Sequence, residues 1–244
     1  MRTYLTPLMA VLVLGPALVA CGNDASDTKS STIALVDPAS AYGKSYAEWS
    51  LDWVSYVNSV SPPECISPLM DDSGASCGLY QDEASPVFFL AGNYVGVSIR
   101  DNCVAPAGKA LFFPLINVWG DNAGVPEDML LSESDLKAYV ESNFDRCYVD
   151  QLRLEVDGES VADLAKGGVR SAAYTLELAP MENIYTCGGM DDVEGEFPGY
   201  VSGYWAMLAP LDAGEHTLEF GGAAKGSTTS EDQPVGQTYN LTIR

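Results

Sequence analysis

The sequence has a single histidine, His216, so it cannot build a metal site that needs two, the HExxH zinc hydrolases included. Basic residues are also few: 12 Lys+Arg face 34 Asp+Glu across 244 residues, a formal net charge of −22. A nucleic-acid backbone is held by clustered Lys and Arg, so that class of partner is excluded. Charged residues make up only 19% and hydrophobic ones 47%, which separates this chain from disordered acidic tails. No two of the six cysteines lie at CxxC spacing, which leaves zinc ribbons, thioredoxin-like redox and c-type haem attachment without support. There is no GxSxG elbow, and any Ser-His-Asp triad would have to use His216. Pro106-Ala107-Gly108-Lys109 is no phosphate loop, because Cys103 and Ala110 stand where Gly and Ser/Thr belong. Internal repeats and Pro/Gly/Ser-rich linkers are absent as well, so one domain is expected.

At the N-terminus, Arg2 precedes the apolar stretch Leu5–Leu14, which Pro7 interrupts and Pro16 follows. A spanning helix wants roughly 20 apolar residues, so residues 1–20 read as a secretory signal. Leu18-Val19-Ala20-Cys21 matches the bacterial lipobox. That resemblance implies diacylglyceryl transfer to Cys21, cleavage before it and N-acylation. The mature chain then has 11 basic and 34 acidic residues, a net of −23. Anionic lipid repels such a body, so the membrane is reached through the lipid anchor. Gly22 and Asn23 lack the aspartate that often retains lipoproteins at the inner membrane, which points to the outer membrane of a bacterial cell envelope. Residues 21–32 are small and polar, a tether reaching roughly 18 Å, and the folded domain is expected over 33–244.

With Cys21 lipidated, Cys65, Cys77, Cys103, Cys147 and Cys187 remain, and an oxidising compartment favours disulfides. Five is odd, so one thiol is left over. The favoured pair is Cys77–Cys103, flanking a hydrophobic stretch; Cys147–Cys187 comes second, leaving Cys65.

Ser45 and Glu48 form a capping box, and Trp49, Trp53, Val57 and Val60 follow at helical spacing until Ser61-Pro62-Pro63. Ser132 and Asp135 open a second helix, with Leu136, Tyr139, Val140 and Phe144 on its stripe. The rest reads as strands. Pro86–Leu90 and Lys109–Ile116 are continuous apolar runs, as for strands buried on both faces. Leu152, Leu154 and Val156 alternate up to Asp157-Gly158, a hairpin signal. Tyr174–Leu178, Val201–Leu208, His216–Phe220 and Tyr239–Ile243 complete the set, with residues 221–236 read as a long polar loop. Eight or nine short strands with two peripheral α-helices predict a mainly β protein, a β-sandwich with the jelly roll among its variants.

Gly43-Lys44-Ser45-Tyr46-Ala47-Glu48-Trp49, Cys103–Pro114 with Asn117, Val156-Asp157-Gly158 and Pro210–Phe220 together resemble a family of exported bacterial proteins without an assigned function. Asp72–Cys77 and Pro86–Gly92 belong to the same resemblance, which covers most of the mature domain. It implies export, supports the Cys77–Cys103 pairing, and supplies no catalytic residues.

Candidate site residues are sparse. Trp119-Gly120-Asp121-Asn122 reads as a loop after a buried strand, so Trp119, Asp121 and Asn122 are candidate ligand contacts, for a glycan or an envelope protein. Asp191, Asp192, Glu194 and Glu196 gather carboxylates that suit calcium, although the EF-hand pattern is missing. No other cofactor is expected. His216 shares a face with Leu218 and Phe220 and is expected to be a hydrogen-bonded core histidine. The leading expectation is a non-enzymatic, lipid-anchored β-sandwich with a binding role. The alternative is a glycan hydrolase using two carboxylates.

Overall fold

Ser45 and Glu48 close their capping box at the start of α1 (Tyr46–Asn58): Ser45 Oγ accepts the Glu48 backbone N–H at 3.3 Å, and the Glu48 carboxylate accepts the Ser45 N–H at 2.7 Å. Trp49, Trp53 and Val57 form its buried face, and the extended backbone of Ser59 ends it. α2 (Glu133–Phe144) begins at the Ser132 cap and buries only Leu136 and Val140, leaving Tyr139 half exposed. The computed structural model describes residues 33–60, 65–93, 96–180, 183–190, 192–226 and 232–244. The signal segment, Cys21 and the tether lie outside these residues.

The strands are β1 (Val87–Phe89), β2 (Gly96–Ala105), β3 (Ala110–Gly120), β4 (Arg153–Val156), β5 (Glu159–Ser160), β6 (Gly168–Leu178), β7 (Gly195–Leu208), β8 (Gly214–Lys225) and β9 (Asp232–Ile243). They form a four-stranded sheet, β1-β3-β7-β6, and a five-stranded sheet, β2-β9-β8-β4-β5. The protein is a β-sandwich with few helices. β1–β3 and β2–β9 pair in parallel, and the other neighbours are antiparallel.

Continuous apolar runs become strands of the first sheet because that sheet is covered twice. Leu111, Phe113 and Leu208 face the second sheet, where Phe113 meets Phe220 with ring centroids 4.3 Å apart. Phe112, Trp205 and Met207 face the other way, onto α1. There Trp53 sits edge-on to Trp205 at 5.2 Å and donates its indole N–H to the Leu90 carbonyl at 2.9 Å. Removing a buried ring of this kind costs about 3–5 kcal/mol. At Asp157-Gly158 both residues take positive φ, 53° and 81°, the backbone that a two-residue hairpin between β4 and β5 requires.

Several expectations are corrected. The hydrophobic stretch flanked by Cys77 and Cys103 is not one unit: it gives β1 and the first part of β2, and the chain crosses from one sheet to the other between them. Arg100 holds that crossing. It is fully buried and donates to the carbonyls of Ala91 and Gly92, each at 2.9 Å, and to the Tyr239 hydroxyl. Residues 221–236 are not one loop, because β8 runs on to Lys225 and β9 starts at Asp232. Small residues make this possible: a Cβ on Gly221 would stand 2.2 Å from the Val235 carbonyl oxygen. A third helix, the single turn α3 (Ile184–Cys187), was not foreseen.

Cys77–Cys103 is a disulfide, with Cα atoms 5.6 Å apart. The second bond is Cys65–Cys187, not Cys147–Cys187, and among the described residues Cys147 is the free thiol. Cys147 follows α2 and bridges to Ala224 in the second sheet, whereas Cys187 closes α3 beside the segment after α1.

Candidate functional site

A cleft of about 550 Å³ opens where α1, the end of β3, α2 and α3 converge. Each wall has a local cause. In β3, a bulge between Pro114 and Ile116 resets the alternation, so Asn117 pairs with Gly203 and Trp119 with Val201. Val201 belongs to the α1-facing core, which puts Trp119 on the same side, edge-on to Trp53 at 6.0 Å. Tyr139 comes from the exposed face of α2, and Asn58 from the last turn of α1. Opposite stand Met70, Ile184, Tyr185 and Met190.

A four-residue helix does not stand alone, and α3 is held three ways. Asn183 caps it, accepting the N–H groups of Tyr185 and Thr186 while donating to the carbonyls of Ala179 and Val193. Cys187 ties it to Cys65. Met190 and Tyr185 press against Gly124, where a Cβ would be 3.0 Å from the Met190 sulfur. Within the cleft lining, Asn117 Nδ2 is buried without a hydrogen-bond partner. Such a group is unusual in a native fold.

Of the three candidate contacts, the structure brings only Trp119 to the cleft. It is a strand residue, half-buried, rather than part of a loop. Asp121 accepts from the Tyr174 hydroxyl at 2.6 Å and the Ala123 N–H at 2.9 Å. Burial, reinforced by the Asp121 charge, pushes the Tyr174 phenol far up, so it stays a donor. Asn122 clamps Leu131 with both ends of its amide, at 2.8 and 3.0 Å. Both side chains hold the loop of residues 123–131 and do not line the cleft. Sequence reasoning missed Asn58, Met70, Asn117, Tyr139, Tyr185 and Met190, which are far apart in the chain. The Asn117 within the family resemblance was the one available signal.

Among the described residues no group of three or more His, Cys, Asp and Glu side chains could hold a metal; of the calcium candidates these residues include Asp192, Glu194 and Glu196. Glu196 lies in β7 opposite Glu177, and Asp191 lies outside the described residues.

His216 is not in the deep core. It sits at the end of β8 with its side chain 16% exposed, bonding Asp157 Oδ2 at 2.7 Å and the Asp212 carbonyl at 2.9 Å. Burial disfavours its charge, but the hydrogen bonds to Asp157 and Asp212 outweigh this and raise its pKa above the ordinary value. Burial likewise pushes the Cys147 thiol up to about 11, so it is no ready nucleophile.

A second depression, of about 580 Å³, lies along α1 and contains Trp49, Tyr80, Asp82 and the ion pair Lys44–Asp52. A general acid wants a raised pKa, yet the carboxylates that are shifted move down. The Ser45 backbone lowers Glu48, the Lys137 hydrogen bond lowers Glu141, and that of Arg170 lowers Asp145. Asp71 goes down against the opposing effect of burial, through Ser73 and Ser76.

Comparison with family models, characterised proteins and solved structures finds no match to this chain. The fold and site define a two-sheet sandwich with an aromatic cleft under a disulfide-held turn.

Proposed function

We propose that this is a lipid-anchored bacterial envelope protein of the outer membrane, and that its sandwich is a non-enzymatic binding module for a glycan or protein ligand. The lipobox Leu18–Cys21 supports the anchor, and two disulfides in the domain accord with an oxidising compartment. The resemblance to exported proteins points the same way.

The cleft carries the binding reading. Its described lining combines Trp119, Tyr139 and Tyr185 with the amides of Asn58 and Asn117, and includes no carboxylate. Aromatic faces with a few fixed amides recognise ligands; hydrolysis of a glycosidic bond would need two acids flanking it. Full-length protein, extracted by detergent from bacterial membranes, is screened against a glycan array and a peptide library, beside Trp119→Ala. Binding that weakens about tenfold or more in Trp119→Ala is expected. Release of reducing ends would favour the hydrolase instead. No binding to either library would remove the binding reading, and a protein found only in the soluble fraction would remove the anchor.

A further inference from the structure

Three exposed large apolar side chains meet at the cleft. Met70 is 56% exposed, Met190 48% and Tyr139 51%, and all three line it. Met129, 64% exposed, lies in the loop that Asn122 clamps and whose Gly124 abuts Met190. Contiguous exposed apolar surface marks an interaction site. Methionine is flexible and polarisable, and with aromatic residues it is enriched where one polypeptide docks on another.

Each of these methionines is also joined directly to acids: Met70-Asp71-Asp72, Glu127-Asp128-Met129 and Met190-Asp191-Asp192. Asp72, Glu127, Asp128 and Asp192 are exposed. Among the described residues no Lys or Arg lines the cleft. Lys137 on α2 and Arg170 on β6 are paired with Glu141 and Asp145. Apolar anchors with exposed acids one or two residues away in the chain, and no Lys or Arg in the described lining, complement one kind of occupant.

Taking the cleft as a binding site, we infer that its partner is a cationic amphipathic segment of another polypeptide, with apolar side chains among the methionines and Lys or Arg over the acidic rim. A sugar would use the aromatic faces but would leave both the methionines and the charge without a role. The acidic rim attracts such a segment from a distance, so its effect is screened by salt.

The probe is a Leu/Lys amphipathic helical peptide of about three turns, titrated calorimetrically into the full-length protein in detergent. Its Leu/Glu counterpart and a neutral β-1,4-linked N-acetylglucosamine hexamer serve as comparisons. Saturable binding of the Leu/Lys peptide alone is expected, weakening about tenfold in Met70→Gln/Met190→Gln and falling as salt rises from about 0.05 to about 0.5 M. Met70→Leu/Met190→Leu should keep the affinity, and circular dichroism verifies that both variants fold. Binding of the hexamer alone, lost in Trp119→Ala, would overturn the polypeptide partner yet leave the cleft a binding site. Peptide binding insensitive to the Met→Gln pair would overturn this proposal too. Binding of none of the three probes would overturn it, and the library screen then decides separately whether the cleft binds anything.

Discussion

Arg100 and His216 show how single polar groups are kept inside an acidic sandwich. Arg100 has carbonyl oxygens and a tyrosine hydroxyl for partners, so its charge is met by dipoles. His216 instead has acceptors at both ring nitrogens, a carboxylate and a carbonyl, an arrangement that suits the doubly protonated ring. Its folded pKa is therefore raised above the unfolded value of about 6.5. The stabilisation is complete below about pH 6.5 and is lost as pH rises through the folded value. His216→Gln should thus cost about 1 kcal/mol near pH 5.5 and progressively less by pH 9, measured by urea unfolding of both proteins. A cost independent of pH would show that the imidazolium contributes nothing. At this scale the sequence was partly legible. The phase of His216 with Leu218 and Phe220 was visible, and Asp212 is only four residues upstream, but Asp157 comes from the β4–β5 turn that only the folded sheet brings near. Trp119 was legible as unusual, whereas the bulge at Leu115 that sets its direction leaves no periodic trace.

Among the elements, α1 was the most legible, because a capping box and an aromatic stripe are local signals. α3 was invisible, since four residues carry no periodicity and its support comes from Asn183 and Cys65. The two disulfides accordingly differ in consequence. Cys77–Cys103 spans 26 residues and Cys65–Cys187 spans 122. In the chain-entropy model they restrict the unfolded chain by about 3–4 and about 5 kcal/mol. Cys77→Ala/Cys103→Ala should lower the unfolding midpoint of the whole domain. Cys65→Ala/Cys187→Ala should also remove amide-exchange protection from Ile184–Cys187 while β3 and β7 keep theirs. Unchanged protection of that turn would mean that Asn183 alone suffices to hold the cleft wall. The strands at 221–225 and 232–236 went unread for a related reason: Gly221 lies tight against Val235 and Gly236 of β9 and Gly222 against Ile116 and Leu152, and small residues hide alternation.

At the scale of the molecule, alternating and continuous apolar runs predicted a sandwich with buried strands, and the protein has one. The order of strands was not predictable from those runs, because a hydrophobic pattern sets which face is covered and says little about which edge pairs. The clearest case is β9, which lies between β2 and β8 and joins Gly96–Ala105 to residues more than a hundred positions later. Deleting Asp232–Arg244 should therefore abolish the cooperative transition seen by circular dichroism and leave the second sheet open to protease; a truncated chain that still unfolds cooperatively would contradict this. The order of synthesis then acquires a meaning. Of the described strands, the one that unites the second sheet is synthesised after all the others, so a chain interrupted before β9 exposes two unmatched edges. Such a product is sticky and easily degraded, and the arrival of β9 works as the second sheet's own mark of being closed.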